Sequence, residues 1–352
     1  MYHRPVPPPN AEISDHAPDP QAVLEALPER GARLQAQLRR VVVGQDRAVE
    51  LLLIAALCQR HALLVGVPGL AKTTLVRAVA RLLELTFRRV QFTPDLMPGD
   101  VTGSELLQPL DPANPAAGFR LVFQPGPIFG NLVLADEVNR APPRTQAALL
   151  EAMAERQVTV GGLTHPLPDP FLVIATQNPI EQDGTYPLPE AQLDRFSLAV
   201  HLGYPTPAEE RRIVAEAESF PDELASIAPV LTLEELRAAR SAIGRMPITP
   251  AVVDEAVALA RASRPEDERC PRDLRPYIAW GAGPRAGQDL VLLARAMAAL
   301  AAEPTPRVEH VRALAPAVLG HRLVLSDAAA AEGVRAPDVV ARVIEAGVRS
   351  AR

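Results

Sequence analysis

The sequence LLVGVPGLAKTTLV, from Leu63 to Val76, contains Lys72, the only lysine in a chain whose 36 basic residues are otherwise all arginine. The apolar run that ends at Val65 indicates a short buried strand, and the residues after Lys72 follow a pattern typical of a helix. Glycines lie between the two. A strand, a glycine-rich loop and a helix, in this order, form a phosphate-binding loop. This stretch therefore predicts a site for the phosphates of a nucleotide.

Each residue type in this loop meets a physical requirement of phosphate binding. Gly66 and Gly69 let backbone N–H groups curl around phosphate oxygens, and the following helix adds its positive dipole end. Lys72 is expected to reach the β- and γ-phosphates, and the Thr73 hydroxyl to bind Mg²⁺. A lysine ammonium is compact whereas an arginine guanidinium is a bulky planar fork, which explains why the one lysine occurs here. The candidate nucleotide-binding residues of the loop are Gly66, Val67, Pro68, Gly69, Leu70, Ala71, Lys72, Thr73 and Thr74.

Short apolar strands alternate with helical patterns around this loop. Such alternation predicts an α/β fold in which a parallel sheet is covered by helices on both faces. The predicted strands are 62–66, 88–92, 131–136, 171–176 and 198–203, and the helices between them are 73–84, 142–155 and 189–194.

Two hairpin-like insertions interrupt the alternation. Residues 105–123 have strand-like ends around a turn rich in Pro, Gly and Asn, and residues 156–167 have a Gly-Gly turn between β-rich arms. Neither is needed to complete a nucleotide-binding sheet. They are therefore candidate contact elements, with ordinary surface loops as the alternative.

The two ends of the chain differ from its middle. Residues 1–20 are rich in proline and have no periodicity, which predicts a disordered tail. Residues 21–204 would form the nucleotide-binding domain, beginning with a helix that extends to Arg40. Residues 205–352 show only helical patterns and predict an all-helical second domain. Its predicted helices are 207–218, 232–245, 250–263, 285–302, 307–319 and 337–347.

Composition narrows the class of protein. The formal net charge is −6, so the chain lacks the basic footprint of a dedicated nucleic-acid binder. Cys58 and Cys270 are far apart in sequence, neither has a second cysteine nearby, and both are interpreted as reduced structural thiols. No apolar run approaches the roughly 20 residues that span a bilayer. We therefore expect a cytoplasmic protein.

A second motif supplies carboxylates. The apolar run NLVLADE ends in Asp136 and Glu137, and in the context of the phosphate loop Asp136 is expected to hold Mg²⁺. Glu137 is expected to polarise the attacking water as a general base. The next strand, FLVIATQNP, ends at Asn178, which would orient that water or contact the γ-phosphate. Alone, Asn178 would be interpreted as a loop-initiating residue before Pro179.

These residues resemble the functional positions of AAA+ ATPases: Lys72 the Walker A lysine, Asp136-Glu137 the Walker B pair, and Asn178 sensor 1. Longer segments resemble the MoxR family, in which alanine is common at the position of Ala71. The segments are VVVGQDRAVELLLIAAL, GVPGLAKT, VQFTPDLMPGDVTG, PGPIFGNLVLADEVNRAPPRTQAALLEAMAERQVTV and FLVIATQNPIEQDGTYPLPEAQLDRF. The resemblance covers about residues 30–350 and is most specific before Phe196.

The resemblance implies further site residues. Arg195, in LDRF, matches the arginine finger that reaches the ATP of a neighbouring subunit, with a surface ion pair as the alternative. Arg285, in WGAGPRAG, matches sensor 2 at the start of a lid helix over the nucleotide. Gln45 matches the adenine-facing segment, with a polar interdomain loop as the alternative. The two insertions resemble hairpins that face the pore of a ring, and His165 and Trp280 are left as structural residues.

The resemblance also implies an activity and an assembly. It implies Mg²⁺-dependent ATP hydrolysis in a homo-oligomer, a hexameric ring, acting as a chaperone that remodels or matures client proteins with a von Willebrand factor A (VWA) domain partner. The alternatives are the motor of a metal chelatase and a nucleic-acid remodelling ATPase, the latter disfavoured by the net charge. A small-molecule kinase is disfavoured because the Asp-Glu pair and Arg195 suit attack by water.

Overall fold

The computed structural model describes residues 18–111, 114, 118–180 and 184–350. Most of the predicted proline-rich tail, residues 1–17, therefore lies outside the described residues. The first helix begins at Pro20, where proline costs no hydrogen bond because the first N–H groups of a helix have no intrahelical partner. Asp19 caps this helix, since its side chain accepts a hydrogen bond from the Gln21 N–H at 3.1 Å.

Five strands form a parallel sheet in the order β2-β5-β8-β1-β9. All five correspond to strands predicted from the sequence. The strand bounds over the whole chain are β1 Ala62–Val65, β2 Phe87–Gln91, β3 Gly103–Pro109, β4 Phe119–Pro125, β5 Leu132–Asp136, β6 Gln157–Val160, β7 Leu163–Pro166, β8 Leu172–Gln177, β9 Leu198–His201, β10 Ile278–Trp280 and β11 Val324–Leu325. Both predicted insertions form antiparallel hairpins, one from β3 and β4 and the other from β6 and β7.

The helices cover both faces of the sheet. Their bounds are α1 Pro20–Val41, α2 Asp46–Leu57, α3 Lys72–Leu82, α4 Pro98–Thr102, α5 Pro143–Glu155, α6 Glu190–Leu193, α7 Pro207–Ala215, α8 Phe220–Ser226, α9 Leu233–Arg245, α10 Pro250–Ala262, α11 Pro284–Leu300, α12 Val308–Leu319, α13 Asp327–Glu332 and α14 Ala336–Ser350. Among these, α2, α4, α8 and α13 were not predicted. The last three are too short to show a clear helical period, and α2 is buried on nearly every side, so its apolar run shows no polar face.

Alternate residues of each strand point to opposite faces, so the sheet separates two hydrophobic cores. On one face, Leu64 and Leu134 pack in a core that continues through α1, α2 and α3 into the helices after residue 204. On the other face, Leu63 and Val133 pack against α5 and three buried phenylalanines. The sheet is thus buried on both sides, which is why its strands read as continuous apolar runs.

The region after residue 204 is helical, as predicted, but also contains a short antiparallel pair, β10 and β11. These strands have three and two residues, too few for an alternating pattern to be visible in the sequence. Within the part of the chain that the structure describes, no helix is both long enough and apolar enough to cross a bilayer.

Candidate functional site

The phosphate loop connects β1, near the middle of the sheet, to the first residue of α3. Lys72 turns back across the loop, and its Nζ donates a hydrogen bond to the Gly66 carbonyl at 2.6 Å. Gly69 has φ +86°, a conformation that favours glycine, and a Cβ built there would have no atom within 4 Å. Ala71 also lies in the left-handed region, at φ +54°, immediately before α3. The loop therefore has the open, inward-curled backbone that phosphate binding requires.

The carboxyl ends of the parallel strands form one edge of the sheet, which we call the loop edge. At this edge the Gly66 N–H donates to the carbonyl of Gln177, the last residue of β8, at 3.2 Å. Gln45 is buried, and its side-chain amide donates to the carbonyl of Gly203, just beyond the carboxyl end of β9, at 2.9 Å. The segment that the sequence assigns to the adenine thus lies on the β9 side of the loop.

Asp136 is the last residue of β5 and is 8% exposed. Its Oδ1 accepts a 2.6 Å hydrogen bond from the hydroxyl of Thr176, which is fully buried on the neighbouring strand β8. Its Oδ2 accepts from the Arg89 guanidinium of β2 at 2.7 Å. Two neighbouring strands therefore fix the orientation of this carboxylate.

Glu137 follows directly, with its backbone in the left-handed conformation at φ +56°. Its N–H donates to the Thr176 hydroxyl oxygen at 2.8 Å, so one threonine holds both acidic residues. The carboxylate accepts from the Gln91 side chain at 3.0 Å and lies 3.3 Å from the Arg140 guanidinium. Backbone strain at such a position persists only when surrounding contacts hold it, and it is common at functional sites.

Asn178 lies at the end of β8, between the loop and the carboxylates, and is 4% exposed. Its Oδ1 accepts from the Ile180 N–H at 3.2 Å. Its Nδ2 is buried and has no hydrogen-bond partner among the described residues. A buried donor without a hydrogen-bond partner lowers the stability of the fold, and a ligand oxygen could accept the hydrogen bond from it.

The structure brings together the phosphate loop, Gln45, Asp136, Glu137 and Asn178, as a single nucleotide site requires. Strands β1 and β5 are separated only by β8, so their ends lie about 10 Å apart at the usual spacing of neighbouring strands.

The donor set at this edge fits magnesium and a nucleotide. The Thr73 hydroxyl and the Asp136 carboxylate are hard oxygen ligands of the kind Mg²⁺ prefers, and the unpartnered Asn178 amide can serve a phosphate oxygen.

The two predicted arginines lie elsewhere. Arg195 precedes β9, and its guanidinium donates to the Leu150 carbonyl of α5. The Arg285 guanidinium lies 3.5 Å from the Asp194 carboxylate. Since Ala62 and Leu198 pair at the amino ends of β1 and β9, both arginines lie near the sheet edge opposite the loop edge. Arg285 lies at the start of α11, as the resemblance implies, and the packing of α11 places it beside Asp194.

The candidates from the sequence omitted two residues that contact Asp136, namely Thr176 and Arg89. A signal for the threonine existed, because Thr176 is a hydroxyl residue that follows an apolar run and comes just before Gln177, the last residue of β8. No comparable signal pointed to Arg89, since β2 contains the neighbouring arginines Arg88 and Arg89, and the contact of Arg89 with Asp136 depends on the pairing of β2 with β5.

Comparisons with known proteins agree with this geometry. Residues 61–198 match the profile of the ATPase family associated with various cellular activities (AAA), and residues 272–343 match an AAA lid domain. The chain is 40% identical to Chaperone MoxR1 of Mycobacterium tuberculosis over 312 residues, which are 88% of this chain and 79% of that protein. It is 35% identical to Protein MoxR of Paracoccus denitrificans over 308 residues, 84% of this chain and 88% of that protein.

A solved structure is also similar. The crystal structure of a "putative ATPase" from Cytophaga hutchinsonii superimposes with a TM-score of 0.83 and 35% identity, covering 92% of this chain and 96% of that one. The fold, the arrangement of the phosphate loop and acidic pair, and these similarities lead to one conclusion. The chain belongs to the MoxR family of AAA+ ATPases.

Proposed function

We propose that this chain is a subunit of a ring, a homohexamer, in which each nucleotide site is shared by two neighbouring subunits. The supporting observation is the separation of the predicted arginines from the phosphate loop. Strand β9 has four residues, so Arg195 lies at least about 13 Å from the loop edge at the usual rise of a strand. An arginine side chain does not bridge that distance within its own chain, whereas a neighbour's loop edge can pack against it.

The residues at the loop edge have distinct roles in this proposal. Bound there, ATP supplies the phosphoryl group and Mg²⁺ neutralises charge during its transfer. Lys72 and the loop N–H groups hold phosphate oxygens, while Thr73 and Asp136 provide oxygen ligands. Glu137 accepts a proton from the attacking water, and Asn178 orients that water or the γ-phosphate. Arg195 and Arg285 of the neighbouring subunit stabilise negative charge as it develops.

The shared site is tested by mixing two inactive variants. Lys72→Ala subunits have an intact Arg195 but lack the lysine of the phosphate loop. Arg195→Ala subunits have an intact Lys72 but lack the arginine. Each variant alone should be inactive, and the mixture should recover ATPase activity at interfaces where a Lys72→Ala subunit serves the site of an Arg195→Ala subunit. Arginines at such positions contribute ~10³–10⁵ in rate in related phosphoryl-transfer systems, so the recovery is large. A mixture as inactive as its components refutes the shared site.

We further propose that the ring is a cytoplasmic chaperone that remodels client proteins, such as those receiving a metal or cofactor, together with a VWA-domain partner. The similarity to Chaperone MoxR1 supports the class of activity. The β3–β4 hairpin supports it physically. Leu107 pairs with Leu121 on one face, beside Phe119, and these side chains are 62%, 61% and 55% exposed. An exposed apolar sheet face is suited to contact with another protein.

The client role is tested with Glu137→Gln. We expect this variant to bind ATP but to lose turnover, because the amide no longer accepts the proton. In ATP it should therefore retain clients and partner, which are identified after affinity capture. The matched control is Glu137→Gln with Leu107→Ser and Leu121→Ser, which removes the two paired leucines from the apolar face. Equal capture by both forms would exclude the hairpin as the client contact, and near wild-type turnover in Glu137→Gln would remove Glu137 as the base.

A further inference from the structure

A buried arginine outside the nucleotide site connects the helical region to the segment that carries Arg195. Arg322 lies in the 3-10 turn after α12, and its side chain is 2% exposed. We call residues 194–197, between α6 and β9, the finger loop. Charged side chains are rarely buried unless they are paired, so the partners of Arg322 indicate its role.

The guanidinium of Arg322 uses all of its nitrogens. Its Nε donates to the Asp194 carboxylate at 2.8 Å, and Nη2 donates to the buried Asp289 carboxylate of α11 at 2.7 Å. The remaining partners are backbone carbonyls, namely those of Asp194 at 3.3 Å, Phe196 at 3.0 Å, Ser197 at 3.2 Å and Val318 at 2.9 Å. Three of these four carbonyls belong to the finger loop.

Other contacts join the finger loop to the same elements. The Ser197 hydroxyl donates to Asp289 at 3.0 Å, and its N–H donates to the His61 carbonyl next to β1 at 3.0 Å. His321 Nε2 donates to the Phe196 carbonyl at 2.8 Å. The finger loop is therefore fixed between the sheet and the helical region, with Arg322 as the residue that contacts most of it.

We infer that Arg322 is a positioning residue for the trans-acting arginines. It makes the finger loop and the start of α11 one rigid unit, so that Arg195 and Arg285 are presented to the neighbouring nucleotide together. This inference rests on the proposed shared site. The planar fork of arginine is required, because lysine has three donors from a single nitrogen and does not span two carboxylates and several carbonyls at once.

The inference predicts an asymmetric effect in the mixed ring. In the mixture of Lys72→Ala and Arg195→Ala subunits, the first donates the finger and the second holds the nucleotide. Arg322→Lys in the donor should lower the recovered ATPase activity on the order of 10²-fold, since a misplacement of about 1 Å at a reacting site has that effect. The same substitution in the acceptor should leave the recovery within about threefold, because the finger loop of that subunit is already without its arginine.

Two further variants make the result specific. Arg60→Gln in the donor removes another arginine near the same Asp289 carboxylate, at 3.5 Å, and should leave the recovery unchanged. If Arg322→Lys does not fold, Asp194→Asn in the donor keeps the buried Arg322–Asp289 pair and weakens the contacts that the Asp194 carboxylate makes with Arg322 and with Arg285. Asp194→Asn should also reduce the recovered ATPase activity when it is in the donor subunit and not when it is in the acceptor.

Equal losses in donor and acceptor, or a donor loss below threefold, would overturn the inference in favour of a purely structural role. A starting mixture without recovery would instead refute the shared site, before Arg322 is changed. The failure of each proposal is therefore distinguishable.

Discussion

Replacing Thr176 by valine tests whether one buried hydroxyl holds the acidic pair of the nucleotide site. The hydroxyl donates to Asp136 at 2.6 Å and accepts from the Glu137 N–H at 2.8 Å, and the side chain is fully buried. Valine has nearly the same shape, so no cavity forms. The change removes the two hydrogen bonds and leaves the Asp136 carboxylate and the Glu137 N–H without this partner at a largely buried position.

The magnitude follows from the two bonds. A hydrogen bond to a charged group contributes about 1.5–3 kcal/mol, and a neutral one about 0.5–1.5 kcal/mol. We therefore expect Thr176→Val to lower the free energy of unfolding by about 2–4.5 kcal/mol. Thr176→Ser is the matched control, since it keeps the hydroxyl and loses one buried methyl group, at a cost of about 1 kcal/mol. Urea unfolding of both variants measures the difference.

The same pair of variants tests the link to catalysis. Without the hydroxyl, Glu137 loses a contact that helps hold its left-handed backbone, and the general base shifts relative to the phosphate loop. Turnover should fall on the order of 10²-fold in Thr176→Val and remain near wild type in Thr176→Ser. Binding of a fluorescent ATP analogue should be retained by both. If the valine variant is as stable and as active as the serine variant, Thr176 does not position the acidic pair.

Two other predictions concern stability. Ala71→Gly should raise the free energy of unfolding by up to about 1 kcal/mol. Glycine relieves the left-handed conformation, which costs alanine about 1–2 kcal/mol, and this gain exceeds the cost of the entropy that glycine adds to the unfolded chain, about 0.4–1 kcal/mol. A lower urea midpoint would contradict this. Acid should destabilise the fold through His61, since burial lowers its pKa from 6.5 to about 4. Its Nδ1 accepts from the Val173 N–H, so the protonated ring does not fit. Because the folded pKa lies below the unfolded one, stability present above pH 6.5 is lost as pH falls toward 4, by about 1–2 kcal/mol at pH 5. His61→Gln should make the fall in urea midpoint between pH 7 and 5 shallower without removing it, because burial also lowers the pKa of His321, to about 3; an unchanged slope would exclude His61 as a source.

The sequence indicates which residues meet at the loop edge because each of them lies in a short local segment. The phosphate loop and the ends of β5 and β8 are short segments, each with its own apolar run and polar terminus, and parallel strands necessarily bring those termini to one edge. Thr176 and Arg89 could not be identified from the sequence because their contacts depend on which strands are neighbours in the sheet.

The location of Arg285 depends on longer-range packing. Its position at the start of α11 was predicted correctly, but the direction in which α11 packs is decided by the core shared with α1, α9 and α12. Arg285 and the buried Arg322 both contact Asp194, and each lies more than 90 positions from it in sequence. The hydrophobic periodicity of a sequence does not indicate such long-range contacts. The β10–β11 pair was not predicted because its strands are too short to show an alternating pattern.

The opposite placement of the phosphate loop and the arginine pair has a consequence for how hydrolysis responds to protein concentration. On the proposed assembly, a solitary copy would retain its nucleotide intact, because half of the chemistry resides in another molecule. Dilution alone would then silence the enzyme without any inhibitor, and specific activity would rise steeply as copies meet.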